Sequence, residues 1–126
     1  MKLQESAENY LETIFVLSLK GSVRAIDVAT ELDYSKPSVS VAMKNLRENG
    51  YISVSADGSI TLTESGHKIA ESMYERHTLI SDWLIFLGVD EKTAVADACK
   101  MEHAMSEQSF EAIKRYLENS RGRDGT

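Results

Sequence analysis

Residues 24–63 read RAIDVATELDYSKPSVSVAMKNLRENGYISVSADGSITLT, and the change of apolar spacing inside this stretch decides the fold class. Ile26, Val28, Ala29 and Leu32 recur at short helical intervals, and Asp33-Tyr34-Ser35 then forms a turn whose last residue can cap a second helix. Pro37, the chain's only proline, falls near the start of that helix, where its missing amide hydrogen costs little. Helical spacing continues through Val39, Val41, Ala42, Met43 and Leu46 until Asn49-Gly50 stops it. After Gly50 the period drops to two. Tyr51 to Ser55 and Ile60 to Thr63 are β-prone runs flanking Ala56-Asp57-Gly58-Ser59, and Asp-Gly between such runs is a hairpin signal. Many helical hairpins look like a helix-turn-helix, but two helices followed directly by a β-hairpin suggest a winged helix.

Upstream, Tyr10, Leu11, Ile14, Phe15, Leu17 and Leu19 recur at three- and four-residue intervals, which predicts a helix capped by Ser6 and ended by Gly21. Downstream, Thr63 can cap a long helix from Glu64 to about Leu87, with Ile69, Met73, Leu79, Ile80, Trp83, Leu84 and Leu87 on a broad apolar stripe. Asp90 can cap a helix through Val95 and Met101 to Ala104, and Ser106 another through Phe110, Ile113, Tyr116 and Leu117. The predicted fold class is therefore mainly α with a small β-hairpin wing: an N-terminal winged helix-turn-helix over 1–63, an all-helical domain over 64–119, and a flexible polar tail over 120–126. Trp83, Phe86, Phe110 and Tyr116 give the helical part more large side chains than one short packed layer hides, which points to a homodimer.

The 126 residues are 42% hydrophobic, ordinary for a globular chain, with no apolar run long enough for a membrane span and no signal-peptide core after Met1. The chain is accordingly expected to stay in the cytoplasm. A net charge of −6 argues against a broad nucleic-acid surface, yet from Lys36 to Thr63 three basic residues (Lys36, Lys44, Arg47) stand against Glu48 and Asp57. That local reversal suits a small DNA-contacting face.

The single cysteine cannot form an internal disulfide, and a lone cysteine is most often a small buried hydrophobe. Its company argues for more. In Cys99-Lys100-Met101-Glu102-His103, spacings of three and four residues put a thiol, a carboxylate and an imidazole on one helical face, where one cation can touch all three. His77 is available from the preceding helix, whereas His67 reads as solvent-facing. A thiolate favours iron(II), cobalt(II) or zinc over manganese, and the carboxylates keep enough oxygen character to make Fe2+ the first choice, with Mn2+, Co2+ and Zn2+ as alternatives.

Glu8-Asn9-Tyr10-Leu11-Glu12, the winged helix, Arg76-His77, Gly88-Val89-Asp90, and Cys99 through His103 followed by Met105-Ser106 together resemble the diphtheria toxin repressor family. Its members are metal-activated transcriptional repressors and include iron-dependent regulators and the manganese transport regulator. The resemblance runs to about Asn119 and leaves no room for the C-terminal SH3-like domain of the longer iron regulators. It implies a DNA-binding domain over 1–63 and a dimerisation and metal-binding domain over 64–119, acting as a homodimer on a pseudo-palindromic double-stranded DNA operator. Family ligands match His77, Glu102 and His103; Cys99 matches the cysteine of iron-type members, and Glu12 a manganese-type carboxylate. Asn9 departs from both types, which carry an acidic residue or a methionine there, and it would bring an amide oxygen without charge. Ser81 and Val95 stand where the ancillary site of iron-type members has its ligands, so that site is expected to be absent or rebuilt from His77 and Glu12.

On the DNA side, Ser35, Lys36, Pro37, Ser38, Ser40, Lys44 and Asn45 lie near the start and outer face of the second helix of the motif, with Arg47 and Arg24 as further phosphate contacts. Ser35 and Ser38 have a plainer use as helix-capping groups. Two functions of other classes compete: a zinc metalloenzyme, for which no acid/base pair or substrate loop is visible, and a winged-helix regulator that senses redox state through Cys99.

Overall fold

Side-chain oxygens at four helix starts set the frame. Ser38 N donates to Ser35 Oγ (3.3 Å), Gly66 N to Thr63 Oγ1 (3.2 Å), Thr93 N to Asp90 Oδ2 (3.0 Å) and Ser109 N to Ser106 Oγ (3.1 Å), each satisfying an amide the helix leaves open. The computed structural model describes residues 5–124, with side-chain surroundings through Asn119. The elements are α1 (Glu5–Ser18), α2 (Ala25–Leu32), α3 (Lys36–Glu48), β1 (Ile52–Val54), β2 (Ile60–Leu62), α4 (Glu64–Phe86), α5 (Glu91–Ala104) and α6 (Glu107–Asp124).

The chain forms two units, one up to Tyr74 and one from Glu75. In the first, Leu11 and Ile14 of α1, Val28 of α2, Val39, Met43 and Leu46 of α3, and Ile52 and Ile60 of the hairpin make one buried cluster, joined by Ala70 of α4. The hairpin pairs Ile52 with Leu62 and Val54 with Ile60, and Val23 adds a bridge to Ile60. Gly50 O accepts from Thr63 Oγ1 (2.7 Å) and Tyr51 O from Thr63 N (3.1 Å), so the start of α4 is stitched to the start of β1. In the second unit Ile80, Ala94, Ala98 and Phe110 are buried, and Lys114 of α6 meets Glu75 of α4 at 3.0 Å.

Two expectations change. Helix α1 is already under way at Glu5, so Ser6 lies in its first turn instead of capping it. Helix α6 continues to Asp124, since a glycine such as Gly122 weakens a helix without ending it; residues 125–126 of the expected tail lie outside the described residues. The compact units divide within α4, at Tyr74 and Glu75, because Ile69 and Ala70 pack with the winged-helix core. Of the aromatic surplus, Phe110 is core at 3% exposure, while Phe86 (78%) and Tyr116 (69%) are exposed on the single chain. Among the described residues no helix is long and apolar enough to cross a membrane.

Candidate metal centre and nucleic-acid interface

Helix α5 presents Cys99, Glu102 and His103 from successive turns, and one donor atom from each lies within 4.8 Å of the others. Glu102 is wholly buried, and its two oxygens face different imidazoles: Oε2 is 3.2 Å from His77 Nδ1 of α4 and Oε1 is 3.2 Å from His103 Nε2. A carboxylate taken out of water is costly unless cationic or hydrogen-bonding partners compensate for it. Two donors each about 2.1 Å from one cation stand roughly 3.0–3.4 Å apart at octahedral to tetrahedral angles. Each of the two separations from Glu102 lies in that range, and Cys99, Glu102 and His103 stand close enough to share one divalent ion. His77 Nδ1 is buried yet satisfies no hydrogen-bond geometry, as a nitrogen shaped for another partner would. The set of thiolate, carboxylate and imidazoles suits a first-row transition metal better than calcium or magnesium.

Glu12 and Asn9 lie in the first unit, three residues apart on α1, Glu12 buried at 8% exposure and Asn9 half-buried with its carbonyl accepting from Thr13 Oγ1 (2.8 Å). Ser81 is buried and donates to Thr78 O (3.2 Å), and Val95, which carries no donor atom in its side chain, is 41% exposed. His67 is half exposed as expected, although Glu71 one turn on approaches it to 3.9 Å, a carboxylate neighbour its sequence reading overlooks.

All the residues expected to face DNA are exposed: Ser35, Lys36, Pro37, Ser38, Ser40, Lys44, Asn45 and Arg47 around α3, and Arg24 before α2. Because α3 buries Val39, Met43 and Leu46, its outward stripe runs through Lys36, Ser40, Lys44 and Arg47 at helical intervals. Ser35 is occupied at both ends, accepting from Ser38 N and donating to Ser38 Oγ (2.8 Å), so its capping role is filled. Val41, named above among the apolar residues of this helix, is 61% exposed on the outer face. Its two-residue offset from Val39 could have revealed this, since it turns the side chain about 200° away.

At the wing, Asp57 accepts from Ser55 Oγ and from Ser59 N (3.0 Å), with Arg24 4.0 Å away. These bonds, that from the Ser55 hydroxyl foremost, hold its carboxyl down at about 2. A depressed value means the wing-tip bonds are fully present above the ordinary aspartate range and are lost as pH falls through about 2. Carboxyl titration by NMR should place the Asp57 midpoint near 2, and Ser55→Ala should raise it; an ordinary midpoint near 4 would contradict the hydrogen-bonded tip.

Arg76, named above only in the pair Arg76-His77, is a buried group whose burial the sequence reading did not state. Arg76 is 7% exposed, its Nη1 donates to Glu102 O (2.9 Å) and Met105 O (2.8 Å), and its guanidinium lies 5.1 Å from the Phe110 ring centre. The signal was present: Met73, Arg76 and Ile80 share one stripe of α4, where an apolar residue is expected.

Comparison with known proteins finds family models for both parts of the chain. The family model for the iron dependent repressor N-terminal DNA binding domain matches residues 2–60, and that for the iron dependent repressor metal binding and dimerisation domain matches 63–122. An HTH-type transcriptional regulator of Methanocaldococcus jannaschii is 34% identical over 119 residues, covering 92% of this chain and 95% of its own. The transcriptional regulator MntR of Salmonella typhimurium is 32% identical over 116 residues, covering 91% and 74% respectively. A solved manganese-dependent transcriptional repressor in complex with manganese superposes with a TM-score of 0.80 at 28% identity, over 89% of this chain; this chain spans about half of that one, 52%.

Proposed function

The chain belongs to the iron-dependent repressor family, carrying its DNA-binding domain followed by its metal-binding and dimerisation domain, and on that premise we propose that it is a repressor switched on by Fe2+. The observation that carries this reading is the buried Glu102 carboxylate held between His77 and His103, with Cys99 one turn earlier. Cys99, Glu102, His103 and His77 would hold the ion in the second unit. Glu12 is proposed as a further ligand on its burial and the family match, and Asn9 as a weaker, uncharged one. The thiolate is what favours iron(II) over manganese, since soft sulfur adds little to a manganese site.

A bound divalent ion would supply positive charge to neutralise the buried Glu102 carboxylate and the Cys99 thiolate. The residues themselves do the rest. The rigid last turns of α5 keep Cys99, Glu102 and His103 at fixed spacing, so the ion binds the ordered arrangement more tightly than a loose one and shifts the population towards it. A tenfold gain in DNA affinity asks for only about 1.4 kcal/mol of such preference. Two copies would bring two α3 helices to half-sites about one DNA turn apart, with Phe86, Leu87 and Tyr116 as apolar surface that a second copy covers. Lys36, Lys44 and Arg47 then neutralise phosphates, while Pro37 and Val41 offer apolar contact to thymine methyls.

Gel-shift titration with Fe2+ under anaerobic conditions tests the proposal: DNA binding that ignores iron but responds to Mn2+ alone would overturn the choice of metal. Lys44→Ala should weaken binding to all sequences alike and reduce the slope of log affinity against log salt by about 1 per copy; an unchanged slope would remove Lys44 from the phosphate-contacting set.

A further inference from the structure

We propose that Arg76 is a positioning residue of the metal centre, a buried guanidinium whose hydrogen bonds to the end of α5 hold Glu102 and His103 in their ligating arrangement. The inference rests on the reading of the second unit as a metal site. A helix end leaves its last carbonyls without intrahelical partners. In α5 the chain turns extended at Met105, and Met105 N closes only the Met101 carbonyl. The carbonyls of Glu102 and Met105 are instead both taken by Arg76 Nη1, at 2.9 and 2.8 Å, one N–H for each. One nitrogen thus ties the backbone of a candidate ligand to the backbone just beyond the helix, and fixes the last turn that carries Glu102 and His103.

Two features argue that this is more than a helix cap. Arg76 directly precedes His77 on α4, so the same turn of α4 that supplies a candidate ligand also supplies the clamp on the ligands of α5. The guanidinium is buried, and the partners shown for it are neutral carbonyls and the Phe110 face, so a cation has been kept where the apolar stripe of α4 would accept a methionine. A positive charge at a helix C-terminus is favourable, and here it also lies beside the carbonyl of a buried carboxylate residue. Precise ligand placement is the property such an outer contact governs, and removal of contacts of this kind typically costs ten- to a hundredfold in metal affinity.

The test is Co2+ titration of the full chain, reading both affinity and the sulfur-to-metal and d–d absorption bands, for wild type, Arg76→Met and Arg76→Lys. Arg76→Met keeps the stem and volume but loses the donors. It should bind Co2+ at least tenfold more weakly, about 1.4 kcal/mol, with altered d–d bands, while far-ultraviolet circular dichroism of the metal-free protein stays as in wild type. Arg76→Lys, which keeps charge and donors without the planar fork, should fall between the two. Wild-type affinity and bands in folded Arg76→Met would overturn the proposal. If Arg76→Met does not fold, Arg76→Lys decides: wild-type affinity and bands there would overturn it, and weakened binding with shifted bands would support it. Absence of Co2+ binding by the wild-type chain would instead overturn the metal reading itself.

Discussion

Glu102→Gln is expected to abolish metal-activated DNA binding while leaving the chain folded. The substitution keeps side-chain volume and planarity and removes only the charge, from a group with no solvent exposure and 3.2 Å contacts to two imidazoles. A neutral amide cannot balance a divalent ion as the carboxylate does, and one of its two faces would present N–H to a ring nitrogen or to the ion. Metal affinity should fall by about a hundredfold or more, roughly 2.7 kcal/mol. The metal-free protein should be no less stable than wild type, because the variant also removes the cost of a buried carboxylate. Isothermal metal titration and a gel shift read the two halves. Activation of the Gln variant at the wild-type metal concentration would show that Glu102 is a structural carboxylate only.

Gly66→Ala should unfold or severely loosen the first unit, against the ordinary rule that alanine improves a helix by about 1 kcal/mol over glycine. A Cβ built on Gly66 meets Tyr51 O at 2.0 Å and its carbonyl carbon at 3.0 Å. Both are backbone atoms that cannot rotate aside. Relief to an acceptable 3.0 Å needs about 1 Å of movement between α4 and β1. That movement works against the bonds from Thr63 N to Tyr51 O and from Thr63 Oγ1 to Gly50 O, which seat the long helix on the wing. A loss of about 3 kcal/mol is at the upper end of the range for overpacking, with the weakened hydrogen bonds adding to it. Urea unfolding monitored by circular dichroism gives the sign directly, and an Ala variant as stable as wild type would mean that this helix-on-strand approach is looser than described.

The legible part of the fold was the part governed by near neighbours. Ser35, Thr63, Asp90 and Ser106 announce helix starts because a short side-chain oxygen reaches an amide three residues on, and Asp57-Gly58 announces the hairpin for the same local reason. The set Cys99, Glu102 and His103 was legible because helical spacing alone brings it together. What spacing hinted at without settling was the outcome of competition between distant surfaces. Val41 carries an apolar side chain outward, because three other positions of α3 already fill the core. Arg76 sits on a buried stripe, and only the folded unit shows the two carbonyls that make a buried guanidinium tolerable there. The assignment of Ile69 and Ala70 to the first unit likewise depends on which neighbour the start of α4 meets.

DNA binding by the full chain, measured anaerobically across Fe2+, Mn2+, Co2+ and Zn2+ and without metal, tests the central claim most directly. The expected result is weak binding without metal and at least a tenfold gain with Fe2+, retained in part with the other sulfur-tolerant ions and lost in Glu102→Gln. Equal binding with and without every metal would contradict a repressor switched on by a metal at Glu102.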